Sequence, residues 1–231
     1  MITTLSFDLD DTLWDPRPAL IAADKAQWFA LAQRYPDLAE RLTRDQIFVC
    51  REQILTDAPS IVGDVTALRI EVMYRLLLSL DIAPAEADES AKMAFEAFMA
   101  KRNDVILFTE TIPMLENVSK SYTVVAITNG NADVFKTEIG PYFDLSIRAD
   151  EAGIAKPDRG IFDLTWEKLG CQPNDVIHIG DSVENDIKGA INAGVTPIWY
   201  NPDKEKNTIG VNEVRALSEL PSVIQQISDR H

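Results

Sequence analysis

Three carboxylates, Asp8, Asp10 and Asp11, fall within four positions directly after the short apolar run Thr3–Phe7. Like charges that close resist joint ionisation unless a cation or a reaction needs them. Asp8 and Asp10 are separated by one residue, so just past an extended strand both side chains can reach one site. A hard divalent cation prefers oxygen ligands, and Mg²⁺ typically takes one or two carboxylates plus substrate phosphate. Three later stations also carry small polar or charged groups: "AITNGNA" with Thr128, Asn129 and Gly130, "GIAKPD" with Lys156, and "GDSVEND" with Asp181, Ser182 and Asp186. Asp181 can complete the carboxylate cluster. Lys156 is the counter-charge for a phosphate, and Thr128 with nearby backbone N–H groups can cradle the remaining oxygens.

Taken singly, each station has a structural explanation. An Asp-x-Asp after a strand serves as a turn or cap, and Thr128-Asn129-Gly130 makes a turn. Lys156 before Pro157 is a surface lysine at a helix entry, and Asp181 with Ser182 caps the helix that follows. Their occurrence in one order, each behind its own strand, favours chemistry. An EF-hand is excluded, because Leu13 stands where glycine is required and Ala19 where the bidentate glutamate belongs.

Positioning these groups requires strands. Apolar runs rich in β-branched residues occupy Thr3–Phe7, Thr123–Ile127, Leu145–Ala149, Val176–Gly180 and Thr196–Tyr200. Helix-sized segments, Ala132–Ile139, Asp158–Leu169 and Val183–Ala193, lie between the later ones. Such alternation predicts an α/β fold with a doubly wound parallel sheet, whose ligands bind beyond the carboxyl ends of the strands. Between Phe7 and Thr123 the spacing is helical: Leu68, Val72, Leu76 and Leu80 recur every four residues, and Ala91, Phe95 and Phe98 continue the pattern. Pro16, Pro36, Pro59 and Pro84 divide this stretch into about four helices. The expected organisation is a Rossmann-like core from residues 1–14 and 104–231, with a helical insertion over residues 15–103. Trp28, Phe29, Phe95 and Phe98 are expected in the core of the insertion, and His178 in "VIHIG" is expected to pack within its strand.

Net charge of −15 over 231 residues argues against nucleic acid as a partner, since phosphates demand a basic face. A small anionic substrate remains compatible, because a bound metal reverses the local field. With His178 and His231 the only histidines, a Ser-His-Asp hydrolase or a multi-histidine metal site is not supported. Cys50 and Cys171 share no CxxC spacing, which argues against a disulfide framework or zinc and for a reducing compartment. The N-terminus has neither a basic n-region nor a long apolar h-region, and no run reaches the length of a membrane span. A soluble cytoplasmic protein with no nucleic-acid or membrane partner is expected, its oligomeric state open.

The four stations resemble the signature motifs of the haloacid dehalogenase (HAD) superfamily. Asp8-Leu9-Asp10-Asp11-Thr12-Leu13 matches the first and Thr128-Asn129 the second; Lys156-Pro157 matches the third, and Gly180-Asp181 through Asp186 the fourth. The helical insertion sits where this superfamily places its smaller cap. The resemblance implies that Asp8 attacks phosphorus to form an aspartyl-phosphate. Asp10 would protonate the leaving alcohol and then deprotonate the attacking water. Mg²⁺ would be held by Asp8, the Asp10 backbone carbonyl and Asp181, with Thr128, Asn129 and Lys156 on the substrate and Asp186 behind them. Dehalogenases of the superfamily lack the second aspartate, because a halide needs no proton, so Asp10 favours a phosphatase.

"FDLDDTLWDPRP", "DVTALR" and "VAITNGNA" are further similar to capped members that act on flavin mononucleotide (FMN) and 5-amino-6-(5-phospho-D-ribitylamino)uracil. Asp64-Val65-Thr66 and Arg69 match the cap of those phosphatases. Other expectations within the superfamily are a nucleotide or sugar-phosphate phosphatase, a phosphomutase or a dehalogenase. A non-catalytic phosphoacceptor of the receiver type uses similar residues but places its aspartate on a later strand. Trp14-Asp15-Pro16 is expected to form the first hinge to the cap.

Overall fold

A computed structural model describes residues 1–230, apart from the side chain of Ala39; His231 lies outside the described residues. By its internal contacts the chain divides into two compact units, Met1–Pro16 with the chain from Val105 onward, and Arg17–Asp104.

The first strand, β1 (Thr4–Phe7), is buried at every residue, as expected of a strand covered on both faces. A tight turn follows, with Leu13 N and Thr12 N both donating to Leu9 O and Asp11 in the left-handed region at φ 59°, a conformation aspartate tolerates better than most residues. The turn ends in β2 (Trp14–Asp15). The second unit then runs through α1 (Arg17–Arg34), α2 (Leu38–Arg41), α3 (Arg44–Asp57), α4 (Val65–Leu78) and α5 (Pro84–Arg102). Thr43 and Gln46 form a capping box on α3, and Asp64 accepts from Ala67 N at the start of α4, each satisfying amides that a helix start leaves orphaned. Its core gathers Leu31, Ile54, Val72, Leu76, Ala91 and Ala94. Phe98 is buried as expected, whereas Phe29 is 66% exposed. The α1 stripe turns inward through Ala23, Gln27 and Leu31, and Phe29 lies off it.

On return, β3 (Ile106–Leu107) pairs antiparallel with β2, so the two strands bracketing the helical unit are tied to each other. The amphipathic α6 (Thr111–Val118) leads to β4 (Thr123–Thr128), β5 (Leu145–Arg148), the single turn α7 (Ala149–Ala152) and α8 (Arg159–Leu169). After these come β6 (Val176–Gly180), a wide π-type turn at Val183–Lys188, α9 (Gly189–Ala193), β7 (Thr196–Tyr200), β8 (Asn212–Val214) and α10 (Leu220–Ser228). The six strands of the main sheet are all parallel, in the order β5-β4-β1-β6-β7-β8. Helices α6 and α10 pack with one face's core, which includes Leu5, Val124 and Ile177; α8 and α9 pack with the other, which includes Ile127, Phe162 and Val176. Among the described residues no helix is long and apolar enough to cross a membrane.

Ala132–Ile139, expected as a helix, is instead a single 3₁₀ turn at Val134–Lys136, followed by another at Gly140–Tyr142. Asp133 accepts from Phe135 N, a local bond that competes with helix propagation. Gly140 then approaches the backbone so closely that an added Cβ would stand 2.9 Å from Phe135 Cα.

Candidate active site

The order of the sheet reverses at β1, with β4 and β5 on one side and β6, β7 and β8 on the other. Crevices form outside the carboxyl ends of parallel strands at such a switch point. Register then fixes the layer: Phe7 pairs with Ala126 of β4 and Ile179 of β6. Asp8 follows Phe7 directly, and Thr128 and Asp181 lie two residues beyond Ala126 and Ile179, so all three come to one end of the sheet.

Lys156 organises the interior of this cluster. Only 4% exposed, its Nζ donates to Asp8 Oδ1 at 2.6 Å, to Asp186 Oδ1 at 2.6 Å and to Ile127 O at 2.7 Å. A buried ammonium is tolerated when its hydrogens all find oxygens. Asn129 anchors the lysine backbone: its Nδ2 donates to Lys156 O and its Oδ1 accepts from Lys156 N. Asn129, expected to touch substrate, thus spends its carbonyl and one amide hydrogen on positioning Lys156. Thr128, also buried, accepts from Gly130 N through Oγ1 at 3.0 Å.

Asp186 reaches the cluster from the π-type turn and accepts from Ser182 N through Oδ2 at 2.9 Å. Gly180 allows this approach, because an added Cβ would lie 2.3 Å from Asp186 Cγ. Asp181 accepts from Thr12 Oγ1 at 3.1 Å, and its backbone carbonyl accepts from Trp199 Nε1. Carboxylate oxygens of Asp8, Asp181 and Asp186 lie within 4.8 Å of one another. Asp10 takes a different direction: its Oδ1 accepts from Trp14 Nε1 at 2.7 Å. His178 packs fully buried in β6 with its ring edge-on to Phe162. It also makes two polar contacts, Nδ1 with Ser6 Oγ at 2.8 Å and Nε2 with Asp186 Oδ1 at 3.2 Å. With Nε2–H donating to the carboxylate, the Ser6 hydroxyl donates to Nδ1.

Sequence spacing brought Asp8, Thr128, Lys156, Asp181 and Asp186 into consideration, and they share this end of the sheet. It did not assign the support given by Trp14, Trp199, Ser6 and His178. Ser6 and His178 are cross-strand partners, a relation visible only once register is known.

Electrostatics follow from burial. Desolvation pushes Asp8 up from 3.8 to about 8, against the pull of Lys156. Burial and the neighbouring Asp186 charge push Asp181 up to about 6. Burial would raise Asp186 too, but Lys156 and His178 hold it below its ordinary value. Lys156 stays above its own despite burial, held by Asp186 and Asp8, while burial lowers His178 and leaves it neutral. Two carboxyls that resist ionisation beside a third that is ionised make an all-oxygen donor set, which fits a hard divalent cation.

The native fold retains protons on Asp8 and Asp181 that the unfolded chain releases near pH 4. Stability contributed by these groups is present below that pH and is lost as pH rises through about 6 for Asp181 and about 8 for Asp8. The thermal midpoint of the EDTA-treated chain should therefore fall between about pH 5 and pH 8, and a divalent cation should restore more of it at the upper end. A midpoint that rises across the window would contradict this electrostatic assignment.

Comparison with known proteins fits this geometry. Residues 2–194 match the family of haloacid dehalogenase-like hydrolases. The chain is 30% identical over 230 residues to the 5-amino-6-(5-phospho-D-ribitylamino)uracil phosphatase YigB of Escherichia coli K12, covering 96% of each chain. It is 30% identical over 126 residues to the pyrimidine 5′-nucleotidase YjjG of the same organism, covering 52% of this chain and 56% of that one. Among solved structures, a protein named 2-haloacid dehalogenase from Pseudomonas syringae pv. Tomato DC3000 superposes with a TM-score of 0.91 at 35% identity, covering 98% of this chain and 99% of that one. The chain is an enzyme that belongs to the haloacid dehalogenase-like hydrolase family.

Proposed function

We propose that this enzyme is a Mg²⁺-dependent phosphomonoester hydrolase that works through an aspartyl-phosphate on Asp8. The observation that carries the proposal is the placement of Asp8 against the buried Lys156 ammonium, with a second carboxylate, Asp10, two residues away and held from the other side by Trp14. One Asp8 oxygen attacks phosphorus as the ester P–O bond breaks, and Asp10 gives its proton to the departing alkoxide. Asp10 then takes a proton from the water that displaces Asp8 from phosphorus. Lys156 and Thr128 face the phosphoryl oxygens, and Asp186 keeps Lys156 charged and in place. Mg²⁺, when bound by Asp8, Asp181 and the Asp10 carbonyl, supplies charge neutralisation for the phosphoryl group.

The substrate is a small phosphorylated metabolite, with FMN or 5-amino-6-(5-phospho-D-ribitylamino)uracil favoured by the likeness to YigB over nearly the whole chain. The helical unit serves as the cap that selects it, and β2 with β3 forms the base from which the cap hinges. Free thiols at Cys50 and Cys171 support a cytoplasmic setting.

Likeness to the Pseudomonas protein favours a second reading, displacement of halide from a 2-haloacid by Asp8. Asp10 weighs against it, since a halide leaves without a proton. The test is release of inorganic phosphate from a panel of phosphomonoesters with Mg²⁺ or EDTA, beside release of halide from 2-haloacids. Mg²⁺-dependent phosphate release without halide is expected, with FMN ranking high. Halide release alone would replace the proposal with the second reading.

A further inference from the structure

Ser6 and His178 are register partners on β1 and β6, and both are fully buried. Side chains alternate along a strand, so Ser6 and Asp8 share one face of β1, whose pairing continues as Asp8 N donates to Ile179 O. The surroundings are apolar, with the His178 ring edge-on to Phe162 at 5.2 Å between centroids. Packing alone does not call for this polar pair, because two apolar side chains of similar shape would hold the position about as well. The bonds the pair makes lead into the site instead.

Nδ1 of His178 lies 2.8 Å from Ser6 Oγ, and Nε2 lies 3.2 Å from Asp186 Oδ1. A carboxylate only accepts, so Nε2 carries the ring hydrogen and Nδ1 accepts from the serine hydroxyl. The other acceptor given for that hydroxyl, Ile177 O, is farther away at 3.4 Å. Asp186 Oδ1 also accepts from Lys156 Nζ at 2.6 Å, and Oδ2 accepts from Ser182 N at 2.9 Å. Three donors from three places in the chain therefore fix the plane of this carboxylate. Without the imidazole, Oδ1 would keep only the lysine, and the two could shift together relative to Asp8, which now takes a 2.6 Å bond from Nζ. We propose that His178, oriented by Ser6, is a positioning residue that fixes Asp186 and through it holds the Lys156 ammonium at the phosphoryl site. The effect on turnover rests on the phosphatase reading; the orientation of the imidazole does not.

The test combines kinetics with nuclear magnetic resonance of the full chain. His178→Leu should lower kcat for p-nitrophenyl phosphate about 10- to 100-fold, the scale of one hydrogen bond to a charged group, with KM moving far less. His178→Gln, whose amide nitrogen reaches the place of Nε2, should recover most of the loss. His178→Asn, whose amide nitrogen reaches only the place of Nδ1, should not. Adding His178→Leu to Asp186→Asn should cost little beyond Asp186→Asn alone, since the two act through one contact. Thermal midpoints identify any variant that fails to fold. The imidazole is read without substitution at His178: His231 is the only other histidine, so ¹⁵N-histidine spectra of the chain and of His231→Gln assign His178. Its Nε2 should be protonated and its Nδ1 bare, and Ser6→Ala should disturb that tautomer. Unchanged kcat in folded His178→Leu, equal loss in the leucine and glutamine variants, fully additive losses with Asp186→Asn, or a proton on Nδ1 with Nε2 bare would each overturn the proposal. The first three of these, with phosphate still released by the unsubstituted chain, would leave the phosphatase reading standing. If that chain released phosphate from no ester, the phosphatase reading would fall and the positioning role in turnover with it, while the imidazole resonances would still decide the chain of bonds from Ser6 to Asp186.

Discussion

Asp8→Asn is expected to reduce phosphate release by roughly 10⁴-fold or more, the scale of loss when a covalent nucleophile is removed, while the chain remains folded. Asparagine has the shape of aspartic acid, and burial pushes Asp8 up to about 8, so the metal-free protein already holds a neutral side chain there through most of the neutral range. Lys156 keeps Asp186 and the Ile127 carbonyl as partners after the change. The thermal midpoint near pH 8 should be unchanged or higher, because one ionising carboxyl has left a cluster of three. Activity lost together with the fold would leave the nucleophile unproven, so circular dichroism and the thermal midpoint belong in the same experiment. Activity retained in a folded variant would contradict the role of Asp8.

Asp10→Asn should cost turnover on an alkyl phosphate about 10² to 10⁴-fold, the usual contribution of a positioned general acid–base. Trp14 Nε1 can still donate to the amide oxygen, so the turn should persist. Metal affinity should change little, because the Asp10 carboxylate points to Trp14 and the three clustered carboxylates are Asp8, Asp181 and Asp186. The defect should depend on the leaving group. An alkoxide needs the proton, whereas p-nitrophenolate leaves without one, so with p-nitrophenyl phosphate the first step should survive and the second should stall. A burst of nitrophenol followed by slow turnover is the expected signature. Uniform slowing for every ester, with no burst, would show that Asp10 acts otherwise than by moving protons.

Much of the site was legible in the sequence because a parallel α/β sheet converts sequence order into spatial order. A polar residue placed just after a buried apolar run has to emerge at the carboxyl edge, so Asp8, Thr128 and Asp181 could be set on one rim from spacing alone. Their supports were not legible, since they depend on pairing across strands or on distant turns. His178 meets Asp186 from within an apolar strand, and Trp199 reaches the Asp181 carbonyl from β7.

Elements of two or three turns were the other gap. In α6, Thr111, Met114, Leu115 and Val118 carry a clear helical stripe, but over only eight residues. The segment after Ala132 has similar composition and fails as a helix, because Asp133 bonds to its own neighbours and Gly140 needs close approach. Phe29 shows the same limit in the helical unit, where a position midway between Gln27 and Leu31 of the buried stripe of α1 leaves a large aromatic in solvent.

The central claim, a phosphoryl group carried on Asp8, is tested most directly by trapping it. Asp10→Asn mixed with p-nitrophenyl phosphate and Mg²⁺, quenched in acid during the burst and digested, should yield the peptide containing Asp8 heavier by one phosphoryl group, and the same treatment of Asp8→Asn should not. Phosphate released with no phosphorylated peptide at any time, or a phosphoryl group on another side chain, would contradict the mechanism.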